Sequence, residues 1–383
     1  MMEEHFEWEN IPEETNENPM EANAEAEAFA LKAKKEDVKK NLRFSANRIG
    51  WATALFIALW TFFLMVVTIV LQTAEEFYLE GLIRFSGMDF YNRYLLIINS
   101  VTQAIAMAIA VVVLFALPKA QKEKTPMAFP RFLKILLICF GAGYAGNLIG
   151  TFLLGIWNGF TGNSVGNELQ EILYGMNPLI MFLSVVLLAP VLEELFFRKL
   201  LVDRLRPCGK IVSVFLPAFL FALFHQSATQ LIYAFTVGAI LAYLYYETGN
   251  YWLSVSVHAL FNFVSGFIPM LFLPKIQEFV NHWALLEPRF SSAETLDEIM
   301  TIMQPLLERY GFVLALYLIY SLILFALNIT GVILLCVNLK KLRKMKEESL
   351  LGIGETVKAV MLNPGMIVCT AFLGVLTVFS LFS

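Results

Sequence analysis

Long apolar blocks alternate with short polar segments along the chain, and the blocks are long enough to be membrane helices. A helix needs about twenty mostly apolar residues to cross a bilayer core. The blocks that approach this length are, in chain order, 51–72, 94–117, 132–157, 178–197, 211–225, 231–246, 252–273, 311–337 and 359–382. The fifth and sixth are short, so we expect them to be tilted, re-entrant or shielded from lipid by neighbours. The pattern predicts an all-α, polytopic transmembrane helix bundle of about eight to nine spans.

Polar segments divide the chain into predicted regions. Residues 1–50 are first acidic and then basic, and within them 21–40 is rich in Ala, Glu and Lys, which predicts a polar surface helix. Residues 51–383 form the predicted transmembrane domain. Within that domain, 274–310 is predicted to be an external loop with a surface helix at 293–310.

Composition narrows the class of protein. Hydrophobic residues make up 58% of the chain and charged residues 16%, whereas charged residues make up about 25% of an average soluble domain. No basic tract is interleaved with aromatic residues, so no nucleic-acid partner is expected. The four cysteines are scattered without a CxxC pair, which predicts neither a disulfide framework nor a cysteine zinc site.

Basic residues cluster beside particular blocks and indicate an orientation. In chain order, the clusters are Lys39, Lys40, Arg43 and Arg48 before the first block, Lys119, Lys122, Lys124 and Arg131 after the second, Arg198, Lys199, Arg204, Arg206 and Lys210 after the fourth, and Lys340, Lys341, Arg343, Lys344 and Lys346 after the eighth. Because short loops rich in Lys and Arg stay in the cytoplasm, this distribution predicts a cytoplasmic N-terminus and an external C-terminus.

Ionisable residues also fall inside the blocks, where each costs roughly 2.5–3.5 kcal/mol on insertion scales and usually faces a cavity. They are Glu193, Glu194 and Arg198 near the end of the fourth block, His225 at the end of the fifth, and His258, followed by Asn262, in the seventh. Such a concentration within four successive blocks predicts one intramembrane site.

Helical spacing suggests how these residues are arranged. Glu194 and Arg198 are four residues apart and can pair on one helix face. That pair alone could also be a structural ion pair. Glu193 points about 100° away from Glu194, so the two glutamates should play different parts. Pro190 has no N–H to donate, so it should free a backbone carbonyl beside the site.

The positions of these residues along their blocks predict how deep each lies in the bilayer. Glu193 is predicted to lie a few residues inside the basic Arg198–Lys210 boundary and His258 about two turns from the Gly249-Asn250 turn, both toward the cytoplasmic half. A straight fifth helix would carry His225 most of the way across the bilayer, so we expect that segment to bend.

The available chemistry is hydrolysis, by either of two routes. A carboxylate beside an imidazole can hold and deprotonate water, while a second imidazole and an amide donate hydrogen bonds to an oxyanion. Alternatively, His225, His258 and Glu193 could hold a divalent metal such as zinc with one position open. The residue types fit both routes.

Three motifs carry a resemblance to a known family. In chain order they are Glu193-Glu194…Arg198 as EExxxR, Phe221…His225 as FxxxH, and His258…Asn262 as HxxxN. In these motifs the chain resembles the CPBP (CAAX protease and bacteriocin-processing, or Abi) family of intramembrane peptidases, which includes the type II CAAX prenyl endopeptidases. The resemblance covers a catalytic core of roughly residues 177–267.

The resemblance implies a role for each motif residue. Glu193 with His225 would activate the water, and His258 with Asn262 would stabilise the oxyanion. Glu194 and Arg198 would support the site. Family members have been described as glutamate-type and as metal-dependent, so both routes stay open.

The implied activity is endoproteolysis of a membrane-embedded, lipidated (CAAX-like) or hydrophobic peptide. The multi-pass protein would lie in the plasma membrane of a prokaryote or in the endoplasmic reticulum of a eukaryote. Two alternatives remain, a proton-coupled transporter and a non-catalytic binding or immunity protein. The substitution Glu193→Ala separates them, since it would abolish cleavage, abolish transport or leave binding largely unchanged.

Overall fold

The computed structural model describes residues 19–77, 87–162, 176–338 and 350–381, and within these ranges the secondary structure is helical with no strand. The helices are α1 Pro19–Phe77, α2 Gly87–Ala110 with a 3₁₀ extension Val111–Ala116, α3 Phe129–Thr161, α4 Pro178–Cys208, α5 Lys210–Phe224, α6 Leu231–Thr248, α7 Tyr251–Ser291, α8 Leu296–Asn338, α9 Ile353–Met361 and α10 Pro364–Phe379. The all-α prediction is confirmed.

Seven of these helices are long and apolar enough to cross a membrane, and the bent pair α9–α10 is an eighth candidate. The predicted polytopic bundle is therefore confirmed. The fifteen residues of α5 extend only about 22 Å, less than the roughly 30 Å of a hydrocarbon core. Most of α5 is buried against neighbouring helices, which shield it from lipid.

The last predicted span is not one straight helix. Its first turn belongs to α9, whose axis is bent by 82° from that of α10. The break falls at Asn363, which precedes Pro364 and has an extended backbone, because a residue before proline avoids the helical region. The Asn363 side chain accepts from the Met366 N–H and donates to the Val360 carbonyl, so it closes both helix ends.

Two polar regions of the prediction are helical. Residues 21–40 form one continuous helix with the first apolar block, and residues 23–37 are exposed. The segment 274–310 is a helical hairpin, because α7 continues to Ser291 and α8 begins at Leu296. Its position outside the membrane stays a prediction. The basic cluster at 340–346 lies outside the described residues.

The prediction of a loop directly after the fourth block is wrong, because helix α4 continues to Cys208. Arg198 and Arg204 are buried side chains of this helix and not loop residues. From the sequence, both charges are assigned to a cytoplasmic loop, but in the structure each guanidinium has a partner inside the bundle. Arg198 pairs with Glu194, and Arg204 donates to the carbonyl of Leu114.

An ion pair and a close helix crossing join helices of the bundle. The α4–α5 hairpin turns at Gly209, whose φ of 100° favours glycine, and the Lys210–Glu247 ion pair joins this turn to the end of α6. Helices α3 and α8 cross at Gly141 and Gly331, where a Cβ on either residue would overlap the backbone of the other helix.

Candidate active site

The predicted site residues surround a cavity of about 620 Å³ inside the bundle. Glu193, His225, His258 and Asn262 line this cavity. Glu194 and Arg198 lie behind them with fully buried side chains. The structure therefore brings the predicted residues from three helices together, in two layers.

Helix α4 is irregular where it carries the glutamates. Two wide π-helical stretches, Phe182–Leu188 and Leu195–Val202, enclose the short α-helical stretch Ala189–Glu194. Local π-helical turns inside α-helices are frequent at functional sites. The register of the backbone hydrogen bonds therefore changes on both sides of this six-residue stretch.

The freed carbonyl predicted beside Pro190 belongs to Val185. The Ala189 N–H donates to the carbonyl five residues earlier, at Ser184, and the next donor in this register would be Pro190, which has no N–H. The Val185 carbonyl instead accepts from Asn262 Nδ2 at 3.0 Å. Asn262 thus connects α7 to the irregular part of α4 from the cavity wall.

A buried ion pair anchors His258. Glu194 Oε2 lies 3.2 Å from Arg198 Nε, and neither side chain is exposed. Glu194 Oε1 lies 2.9 Å from His258 Nδ1, which donates to it because a carboxylate only accepts. Arg198 is a structural partner of Glu194, and through Glu194 it also fixes the orientation of the His258 ring.

Glu193 faces the opposite side of the same ring. Its Oε2 lies 3.7 Å from His258 Nε2, which is longer than a direct hydrogen bond. The Glu193 side chain keeps 12% exposure toward the cavity.

His225 is placed by the end of α5. Its Nδ1 donates to the Phe221 carbonyl at 2.8 Å, so in the neutral ring Nε2 is free to accept a proton. The next residue, Gln226, has a φ of 49°, which is uncommon for a residue other than glycine. This turn ends the helix and sends the chain past the cavity.

The depth of His225 follows from the α4–α5 hairpin. Glu193 and His225 each lie sixteen residues from Gly209, on opposite arms of the hairpin. The turn at Gly209 therefore places both residues at a similar distance along their helices, and His225 reaches the site in this way. The expected bend of the fifth segment stays a prediction.

Phe221 organises the site as a spacer. Its buried ring lies under the Arg198 guanidinium, 4.4 Å from ring centroid to Cζ. The same ring meets His225 and His258 edge-on, with centroid separations of 4.7 and 5.8 Å. Gly238 gives this ring room, because a Cβ there would crowd it. Phe221, the phenylalanine of the FxxxH motif, therefore helps to orient both imidazole rings by packing against them.

The cavity also contains polar residues that the sequence analysis did not single out. They are uncharged amides from three helices and one loop: Asn99, Gln103, Asn147, Gln226, Gln230 and Asn328. Asn99 also accepts from Trp60 Nε1 at 3.0 Å. Single amides form no motif, and the only signal available was the position of four of them inside apolar blocks; Gln226 and Gln230 lie between two blocks.

The predicted metal ligands Glu193, His225 and His258 share one cavity wall, and their binding of a metal stays a prediction. Among the described residues, no group of three His, Cys, Asp or Glu side chains is arranged to hold a metal ion. In both histidines Nδ1 bonds a protein acceptor, which leaves Nε2 as the ring nitrogen that a metal could bind. The chemistry proposed below uses the side chains alone, and chelation tests the metal route directly.

Comparison with known proteins points to one family. Residues 175–264 match the family model described as type II CAAX prenyl endopeptidase Rce1-like, a range that includes all three motifs. No curated protein and no solved structure matches the chain. The match confirms the predicted resemblance to the CPBP intramembrane peptidases. Residues 175–264 of this multi-pass membrane protein are therefore similar to the type II CAAX prenyl endopeptidases.

Proposed function

We propose that the protein is an intramembrane endopeptidase in which Glu193 and His225 activate a water molecule. His258 and Asn262 stabilise the oxyanion that forms on the substrate. The single observation that supports this assignment most strongly is the shared cavity, in which four polar side chains from three helices converge above a buried Glu194–Arg198 pair.

The hydrogen bonds of the two histidines suggest different roles. His225 donates through Nδ1, so its free Nε2 can take a proton from water as Glu193 holds that water. The resulting hydroxide adds to the scissile carbonyl, and the same proton then passes to the departing amine. Peptide and water are thereby converted into a carboxylic acid and an amine, with no other reactant.

His258 and Asn262 are suited to donate to the oxyanion. A protonated His258 bound to Glu194 through Nδ1 has its Nε2–H toward the cavity. Asn262 uses one amide hydrogen on the Val185 carbonyl, and its second remains for the substrate. Fixed donors in a site of low dielectric constant are the arrangement that oxyanion stabilisation needs.

The lining of the cavity favours a hydrophobic peptide as substrate. Its volume of about 620 Å³ lies in the usual range for ligand pockets. The amides can pair with peptide N–H and C=O groups, while apolar residues such as Phe140, Phe261 and Met270 can hold side chains or a lipid group. A membrane-embedded or lipidated peptide satisfies both parts of the lining.

The test is cleavage of quenched fluorescent peptides, prenylated and unprenylated, by the full chain purified in detergent. We expect wild-type cleavage, loss of cleavage in Glu193→Gln and His225→Ala, and unchanged cleavage in Glu247→Gln, whose carboxylate pairs with Lys210 away from the cavity.

A chelator arm separates the side-chain route from a metal route, because only the latter loses activity and regains it with added metal. If no peptide is cleaved while all variants remain folded, the endopeptidase proposal is wrong. Transport or binding of the same peptides by that protein would then identify the alternative function.

A further inference from the structure

Helix α7 directs a polar stripe at the irregular part of α4. Tyr251, His258 and Asn262 are spaced by seven and four residues, which puts them on one helix face. His258 contacts Glu194 and Asn262 contacts the Val185 carbonyl. Tyr251 donates its hydroxyl to the Val191 carbonyl at 2.6 Å. Only Tyr251 lies outside the three motifs.

The Tyr251 hydrogen bond falls next to the proposed catalytic carboxylate. Val191 precedes Glu193 by two residues, in the six-residue stretch Ala189–Glu194 between two π-helical stretches. Asn262 holds the π-helical stretch before it, and Tyr251 holds the stretch itself. Two side-chain hydrogen bonds from α7, those of Asn262 and Tyr251, therefore connect this irregular part of α4 to α7.

Satisfying a buried carbonyl does not account for this bond. The Val191 carbonyl already accepts from the Leu195 N–H within α4, so without Tyr251 it would still have a partner. The hydrogen bond from Tyr251 therefore fixes the position of Val191 and is not needed to give its carbonyl a partner. The Lys199 ammonium, 5.9 Å from the centre of the Tyr251 ring, packs the aromatic body against α4 independently of the hydroxyl.

We propose that Tyr251 is a positioning residue that holds the Glu193-bearing turn of α4 against α7. Its hydroxyl sets the separation between Glu193 and His258 through the backbone of Val191. The proposal rests on the endopeptidase function above, because it assigns Tyr251 a share in that reaction without contact with substrate.

The test compares two tyrosine-to-phenylalanine substitutions. Tyr251→Phe removes one hydroxyl and keeps the ring. Tyr245→Phe is the matched control, since it removes a buried tyrosine hydroxyl that donates to Asp203 Oδ1, at 2.9 Å, in the same helix α4 but ten residues beyond Glu193. Both variants are measured for kcat, KM and backbone hydrogen exchange over residues 189–195.

We expect Tyr251→Phe to lower kcat at least tenfold, which is about 1.4 kcal/mol in the barrier, with KM within twofold of wild type. Exchange over 189–195 should rise. Tyr245→Phe should leave kcat and this exchange within twofold of wild type. A merely structural role for Tyr251 would make the two variants behave alike.

Wild-type kcat and unchanged exchange in Tyr251→Phe would overturn the proposal. If the wild-type chain cleaves no peptide, the endopeptidase function fails, and the exchange experiment alone decides whether Tyr251 holds this turn. Faster exchange in Tyr251→Phe but not in Tyr245→Phe then supports the positioning role, and equal exchange refutes it.

Discussion

Replacing Arg198 with methionine should destabilise the protein more than most single substitutions. Methionine is unbranched, like the aliphatic part of arginine, but it carries no charge. The Glu194 carboxylate, which has no exposed surface, would lose the guanidinium of Arg198 and keep only its hydrogen bond with His258. Removing one member of a buried ion pair typically costs about 3–5 kcal/mol, because the remaining charge stays buried. For a chain of this size we expect a fall in Tm on the order of 5 °C or more.

A double variant that removes both charges is the control for Arg198→Met. In Glu194→Gln/Arg198→Met both charges are gone, and the glutamine carbonyl can still accept from His258 Nδ1. Replacing a whole buried pair is often neutral or stabilising. The double variant should therefore be more stable than Arg198→Met alone, although both should lose activity.

The cysteines provide the assay. Cys139, Cys208 and Cys369 are buried and Cys336 is exposed, so in a Cys336→Ala background a thiol-reactive fluorophore reports unfolding of the full chain in detergent. Arg198→Met with an unchanged Tm would refute the buried ion pair. A double variant less stable than Arg198→Met would refute the claim that the cost comes from an unpaired charge.

Three further predictions concern packing and the site. Gly331→Ala should lower Tm by several degrees, because its Cβ would overlap α3, whereas Gly374→Ala, with open space around it, should not; the same thiol assay measures both. Phe221→Leu should lower kcat with little effect on peptide KM, since its ring spaces Arg198 and both site histidines; equal kcat would show that the ring only fills space. Asn262→Leu should lower kcat by about 10²–10³-fold, as loss of one oxyanion donor does, and wild-type kcat would remove it from the site.

The pattern of the sequence predicts the helices well because a bilayer demands long apolar runs. It misses features that depend on pairing between helices. Arg198 and Arg204 look like loop charges in a list of residues, and only the fold shows the Glu194 carboxylate and the Leu114 carbonyl that compensate them. The break at Asn363 had a local signal, the proline that follows it.

The candidate site divides in the same way. The motif residues Glu193, His225 and His258 line one cavity, and the sequence indicates this because ionisable side chains inside a span usually face a cavity. The role proposed for Tyr251 was not predictable, since a tyrosine at a helix start is also typical of a membrane interface. Its acceptor is a backbone carbonyl, which no pattern of side chains reveals.

The central claim, that Glu193 activates the attacking water, is tested most directly by single-turnover cleavage in ¹⁸O-labelled water, with Glu193→Gln beside the control Glu247→Gln. We predict one ¹⁸O in the new carboxylate of the product. The rate for Glu193→Gln should fall by about 10²–10⁴-fold, the range of general acid–base catalysis, because Glu193 holds the water from which His225 takes the proton. Cleavage by Glu193→Gln at the rate of Glu247→Gln would contradict the account.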